Sequence, residues 1–118
     1  MKVEYHNGTG LLAVIGDPIA HSLSPLLQNT MIAHLGRDDL YLAVRVPQGG
    51  LPDFLAAART LGLGGFNLTM PHKLDILPYL SDMTPEARRA GSVNSVRLGE
   101  KGLEGHSTDG IGFRRALQ

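Results

Sequence analysis

Apolar residues fall in short blocks along the chain, each closed by Gly or Pro. Leu11-Leu12-Ala13-Val14-Ile15 is a continuous run ended by Gly16-Asp17-Pro18. Apolar side chains on both faces predict a strand buried in a parallel sheet. Ser24 as N-cap and Pro25 at the first helical position open a helix. Leu26, Leu27, Met31 and Leu35 keep helical spacing along it until Gly36. Tyr41 to Val46 reads as a second strand, ended by Pro47 and Gly49-Gly50. A second helix runs from about Pro52 through Phe54, Leu55, Ala58 and Leu61 to Gly62. Gly64-Gly65-Phe66-Asn67-Leu68-Thr69 predicts a third strand running into Met70-Pro71-His72-Lys73, and a short helix with Leu74, Leu77 and Leu80 near one face. Thr84-Pro85-Glu86 repeats the cap-then-proline opening of a helix that stops at Gly91. Ser92 to Leu98 and Leu103 to Ser107 read as a hairpin around Gly99-Glu100-Lys101-Gly102. Gly110 precedes a last amphipathic piece, Ile111 to Gln118.

Strands alternating with helices, then a hairpin, predict an α/β fold. Its sheet is mostly parallel and twisted, with helices on both faces and a C-terminal β-hairpin. No repeat or linker divides residues 1–118, so a single domain is expected. Eleven basic residues balance eleven acidic ones. That balance argues against nucleic-acid and membrane-surface partners, which need a basic excess. The absence of Cys excludes disulfide scaffolds, thiolate zinc sites and cysteine nucleophiles. The longest apolar run is too short to span a bilayer, and a cytoplasmic location is the expectation.

Several chemistries lack their residues. Gly110-Ile111-Gly112 begins like a dinucleotide fingerprint, but Arg115 stands where the third Gly is required. Gly8-Thr9-Gly10 precedes a strand instead of following one. The five His residues (6, 21, 34, 72 and 106) are scattered, with no helical pair for a metal. Ligands of open α/β sheets bind beyond the carboxyl ends of the strands. The polar residues there are Ser22 and Ser24 after the first strand, and Asn67, Thr69 and Lys73 at the third. Asn94 lies in the hairpin's first strand, and Thr108-Asp109 follows its second. Hydroxyls and amides of this kind suit a small polyhydroxylated acid, and Lys73 beside Asp109 would make a proton-transfer pair. Each residue also has a plainer role. Ser24 caps a helix, Lys73 is a solvated lysine, Asp109 makes a turn or cap, and His72 packs. Asn67 and Asn94 within strands are harder to assign to structure alone, because strands deplete Asn.

Four separated segments together resemble the N-terminal, substrate-binding domain of the shikimate dehydrogenase family, which includes the quinate/shikimate dehydrogenases. They are residues 16–25 with Ser22-Leu23-Ser24, residues 67–73 (Asn67-Leu68-Thr69-Met70-Pro71-His72-Lys73), residues 90–95 (Ala90-Gly91-Ser92-Val93-Asn94-Ser95) and residues 106–110 (His106-Ser107-Thr108-Asp109-Gly110). Ser95 and Ser107 stand where Thr and Asn are commoner in the family. The resemblance implies NADP-dependent, reversible reduction of 3-dehydroshikimate to shikimate in aromatic amino-acid biosynthesis. Ser22 and Ser24 would hold the substrate carboxylate. Asn67, Thr69, Asn94 and Asp109 would hold ring hydroxyls. Lys73, paired with Asp109, would be the acid/base. Ser24 leans toward shikimate over quinate.

The family continues into a Rossmann domain that binds NADP. The sequence stops at Gln118, so the expectation is that the nucleotide domain is absent, that no cofactor binds tightly, and that the chain alone is inactive. An uncovered face on the last helix would invite self-association. Two other readings remain: a stand-alone binder of a small hydroxy-acid such as shikimate or quinate, and an inert domain whose polar residues are all caps.

Overall fold

The computed structural model describes residues 5–107. Strand β1 (Gly10–Gly16) leads to helix α1 (Ser24–His34), β2 (Asp39–Arg45), α2 (Leu51–Leu61) and β3 (Gly65–Leu68). The short helix α3 (His72–Asp75), a 3-10 turn (Leu77–Tyr79), β4 (Asp82–Met83), α4 (Pro85–Ala90), β5 (Ser95–Gly99) and β6 (Gly102–His106) follow. The described strands form one sheet in the order β2-β1-β3-β5-β6-β4. β1 lies parallel to β2 and β3, β5 runs antiparallel to β3 and β6, and β4 is parallel to β6. The mostly parallel sheet with a terminal hairpin is the expected α/β architecture.

β1 is buried from Leu12 to Gly16 because both of its faces are covered. Alternate residues of a strand face opposite sides. Leu12 and Val14 meet Tyr41 and Ile32 of α1 on one side. Ala13 and Ile15 join Phe66, Leu68 and Val96 on the other, beneath Leu51, Leu55 and Ala58 of α2, Ile76, and Ala87 of α4. Phe54 stands edge-on to Phe66, ring centroids 5.0 Å apart. α4 has the expected cap, Thr84 Oγ1 accepting from the Ala87 N–H at 3.2 Å, and ends at Gly91 with φ 69°, a conformation open to glycine without steric cost.

Four local expectations are corrected. Leu23, not Ser24, is the N-cap of α1, and it makes no side-chain cap; Ser24 begins the helix. The inward stripe of α1 is Pro25, Gln28, Asn29 and Ile32, while Leu26, Leu27 and Leu35 are exposed. Asn29 turns that stripe to the sheet: its Nδ2 donates to the Tyr41 carbonyl at 2.8 Å, and its Oδ1 accepts the Tyr41 N–H at 2.9 Å. In the α3 region the buried residues are His72 and Ile76, with Leu74 64% exposed, because the helix is a single turn before the chain tightens at Pro78. Asn94 precedes β5 as a bend, its N–H held by the His106 carbonyl at 3.0 Å. The two-residue β4 carries no hydropathy signal of its own. The segment Ile111 to Gln118, with the face expected to self-associate, lies outside the described residues, as do Thr108 and Asp109.

Candidate functional site

Parallel pairing puts the carboxyl ends of β1, β2 and β3 at one edge of the sheet, and the reversal at β5 brings its amino end there too. β6 also finishes there, His106 standing opposite Ser95. Strand direction thereby gathers segments distant in sequence.

The loop after β1 and the segment after β3 are tied together. The Thr69 N–H donates to the Ile15 carbonyl at 3.0 Å, and the Asp17 N–H to the Met70 carbonyl at 2.9 Å. A Cβ on Gly16 would fall 2.2 Å from Thr69 Cγ2, so only glycine allows this approach. Arg45, at the end of β2, donates from Nε and Nη2 to the two Asp17 carboxylate oxygens, each at 3.2 Å.

A hollow of about 320 Å³ opens beside this junction. Val14, Pro18 and Ile19 give it apolar walls; His21, Ser22, Ser24 and Thr69 supply the polar groups. Its volume is at the lower end of small-molecule pockets. Ser22 Oγ accepts the Ser24 N–H at 3.2 Å, which orients the hydroxyl and leaves its hydrogen to donate. Among the described residues no carboxylate lines the hollow, and its hydroxyls can donate to a ligand's acceptor oxygens.

Asn67, opposite Val14 in the sheet, lies on the same face. Its Oδ1 accepts the Tyr41 hydroxyl at 2.6 Å. Its Nδ2 donates to Ser95 Oγ at 2.8 Å and to the Asn94 carbonyl at 3.3 Å. Ser95 in turn donates to Asn94 Oδ1 at 3.2 Å. Burial pushes the Tyr41 phenol well above its ordinary value, keeping it a donor.

Lys73 is exposed on α3, and no described residue pairs with its ammonium. Its carbonyl accepts the Val93 N–H at 3.4 Å, which sets the start of α3 beside the segment leading to Asn94. His72 is fully buried, its Nε2 bonded to the Val46 carbonyl, in the packing role expected of it. Ser22, Ser24 and Thr69 thus share one hollow, Asn67 and Asn94 share one hydrogen-bond chain, and Asp109 falls outside the described residues. Sequence reasoning passed over Tyr41, Ser95 and His21. A Tyr in a strand flanked by apolar residues signals a buried ring whose hydroxyl needs a partner; the other two carry no local mark.

Residues 14–96 match the family described as the shikimate dehydrogenase substrate binding domain. The chain belongs to this family. It is 48% identical over 109 residues to a protein of Geobacter metallireducens named shikimate dehydrogenase (NADP(+)), covering 92% of this chain and 38% of that protein. Its fold is similar to that of the Listeria monocytogenes shikimate 5-dehydrogenase in complex with shikimate and NAD, with a TM-score of 0.85 and 40% identity, over 99% of this chain and 40% of that one. It is also similar to the ligand-free 5-ketofructose reductase of a Gluconobacter species, with a TM-score of 0.84 and 33% identity, over 92% of this chain and 39% of that one. The chain therefore spans about two-fifths of the length of these proteins.

The loop from β1 to α1 does not fit the pyrophosphate of a nicotinamide dinucleotide. That group is cradled by glycine N–H groups between a strand and a helix. In the loop from β1 to α1 this chain instead places the Asp17 carboxylate, engaged by Arg45, and Pro18, which has no N–H. Among the described residues no cluster of ligating side chains could hold a metal ion, and no helix is long and apolar enough to cross a membrane.

Proposed function

We propose that this chain binds shikimate and 3-dehydroshikimate as the substrate-binding part of an NADP-dependent shikimate dehydrogenase. The observation that carries the reading is the hollow in which Ser22, Ser24 and Thr69 converge beside a tied pair of loops. The Ser22 and Ser24 hydroxyls donate to the substrate carboxylate. Thr69, Asn67, Asn94 and Asp109 engage the ring hydroxyls, with apolar contact from Val14 and Ile19. Lys73 is the acid/base at the oxygen that interconverts between carbonyl and alcohol, and Asp109 is its charge partner. In the complete enzyme NADP would supply or take up the hydride, while this chain's residues would bind and orient the substrate and move the proton.

The test is a titration of the labelled chain with shikimate, quinate, 5-ketofructose and NADP, followed by NMR. Shikimate is expected to shift Ser22, Thr69, Lys73 and Asn94, with NADP causing no comparable change. A response to 5-ketofructose alone would move the substrate class, and no response to any of the acids would return the chain to a domain whose polar residues only cap and turn. In a two-domain enzyme carrying this segment, Lys73→Ala should remove most turnover, about 10²-fold or more, with little change in substrate affinity.

A further inference from the structure

The segments beside the hollow close into a ring of hydrogen bonds, and one side chain completes it. The Val46 N–H, just past β2, donates to the Gly16 carbonyl at 3.0 Å. The Thr69 N–H donates to the neighbouring Ile15 carbonyl at 3.0 Å, and the His72 N–H to the Thr69 carbonyl at 3.0 Å. All of these run from main chain to main chain. The last link, from α3 back to the end of β2, is the His72 imidazole on the Val46 carbonyl. A carbonyl oxygen only accepts, so Nε2 carries the hydrogen and donates. Nδ1 is buried and meets no hydrogen-bond partner among the described residues. A ring needed only to fill space would be better apolar, because burying an unpaired nitrogen costs free energy.

We propose that His72 is a positioning residue: its Nε2–H braces α3 against the end of β2 and so fixes the backbone at Thr69 and Lys73. The ligand, and the parts Thr69 and Lys73 play toward it, rest on the proposed function; the brace itself does not. Thr69 lines the hollow and lies within the ring of bonds. Lys73 directly follows the brace, and its carbonyl is held by the Val93 N–H at 3.4 Å. α3 has little else to hold it. It is four residues long, and His72 is the one among them that is buried. A helix of one turn is not stable by its own hydrogen bonds, so its place is set by what it is tied to. The imidazole makes that tie from inside the protein, which leaves the neighbouring Lys73 side chain exposed for chemistry.

The experiment compares the wild-type chain with His72→Phe and His72→Gln. Phe keeps an aromatic ring and removes the donor; Gln fills the space less well but brings an amide N–H. The His72 ring nitrogens are read by ¹⁵N NMR, the Ile76 and Val93 amides by hydrogen exchange, and then shikimate affinity is measured. Wild-type His72 should show the Nε2–H tautomer. His72→Phe should speed exchange at both amides and weaken shikimate about tenfold, while His72→Gln restores most of each. Melting curves show which variants are folded. An Nδ1–H tautomer would overturn the proposal. So would a folded His72→Phe that binds and exchanges as wild type does, or a His72→Gln no better than His72→Phe, since a purely packing role ranks Phe above Gln. Should both variants unfold, the wild-type tautomer decides alone. If wild-type protein does not bind shikimate, the functional reading fails while tautomer and amide exchange still decide the brace.

Discussion

The methyl group of Thr69 occupies the place a side chain on Gly16 would need, 2.2 Å from where its Cβ would stand. A Gly16→Ala substitution must push Thr69 away from the Ile15 carbonyl it binds, or push β1 away from β3. Overpacking of this kind is expected to cost about 1–3 kcal/mol and to weaken ligand binding at the hollow, measured by urea unfolding and shikimate titration. Thr69→Ser removes the methyl and keeps the hydroxyl. Added to Gly16→Ala, it should recover most of the stability, a coupling that a double-mutant cycle reads directly.

Asn29 covers the middle of an edge strand. With its amide bonded to both polar backbone groups of Tyr41, β2 cannot pair there with another chain. Asn29→Ala leaves those groups unpaired. The expected result is a loss of about 1–3 kcal/mol and a concentration-dependent rise in sedimentation coefficient. A variant that remains monomeric and equally stable would show that the clamp contributes nothing.

Tyr41 sets a limit on stability at alkaline pH. Burial raises its folded value, so the unfolded chain releases the phenol proton first, from its ordinary value of 10.0. The contribution is complete below pH 10.0 and is lost as pH rises beyond it, because the unfolded state then binds fewer protons. Tyr41→Phe should flatten that part of the stability curve between pH 9 and about 11, as followed by denaturant midpoints.

The opposite sign holds at Asp82. The Met83 N–H at 2.8 Å and the Arg88 guanidinium at 3.0 Å hold its carboxyl below the ordinary 3.8. Its contribution is present above that value and disappears as pH falls through the lowered one. Side-chain carboxyl NMR should show Asp82 titrating below 3.8. Arg88→Ala should move it only part of the way back, since the Met83 backbone donor, the largest single cause, remains.

The architecture could be read from residues 11–15, where an apolar run on both faces leaves few options besides a covered parallel strand, and from Thr84-Pro85 and Gly91, whose capping and stopping chemistry is local. The inward face of α1 could not. Its orientation depends on an amide bonding to the backbone of β2, and hydropathy assigns the wrong leucines to the core when a polar residue anchors the helix. The same limit applies to the site. Ser22, Ser24 and Thr69 stood out because strand ends are where ligands bind, and they do share a hollow. Ser95 and Tyr41 reach Asn67 by contacts between strands, and no spacing along the chain encodes those.

Running β5 against β3 has an effect on folding as well as on recognition. The pieces bordering the hollow and its amide chain come from both ends of the described chain, and they meet only once the central pairing has closed. A molecule lodged there can associate only with fully assembled protein, so its binding energy adds to the stability of the whole sheet. The midpoint of heat unfolding should therefore climb steadily with the logarithm of ligand concentration.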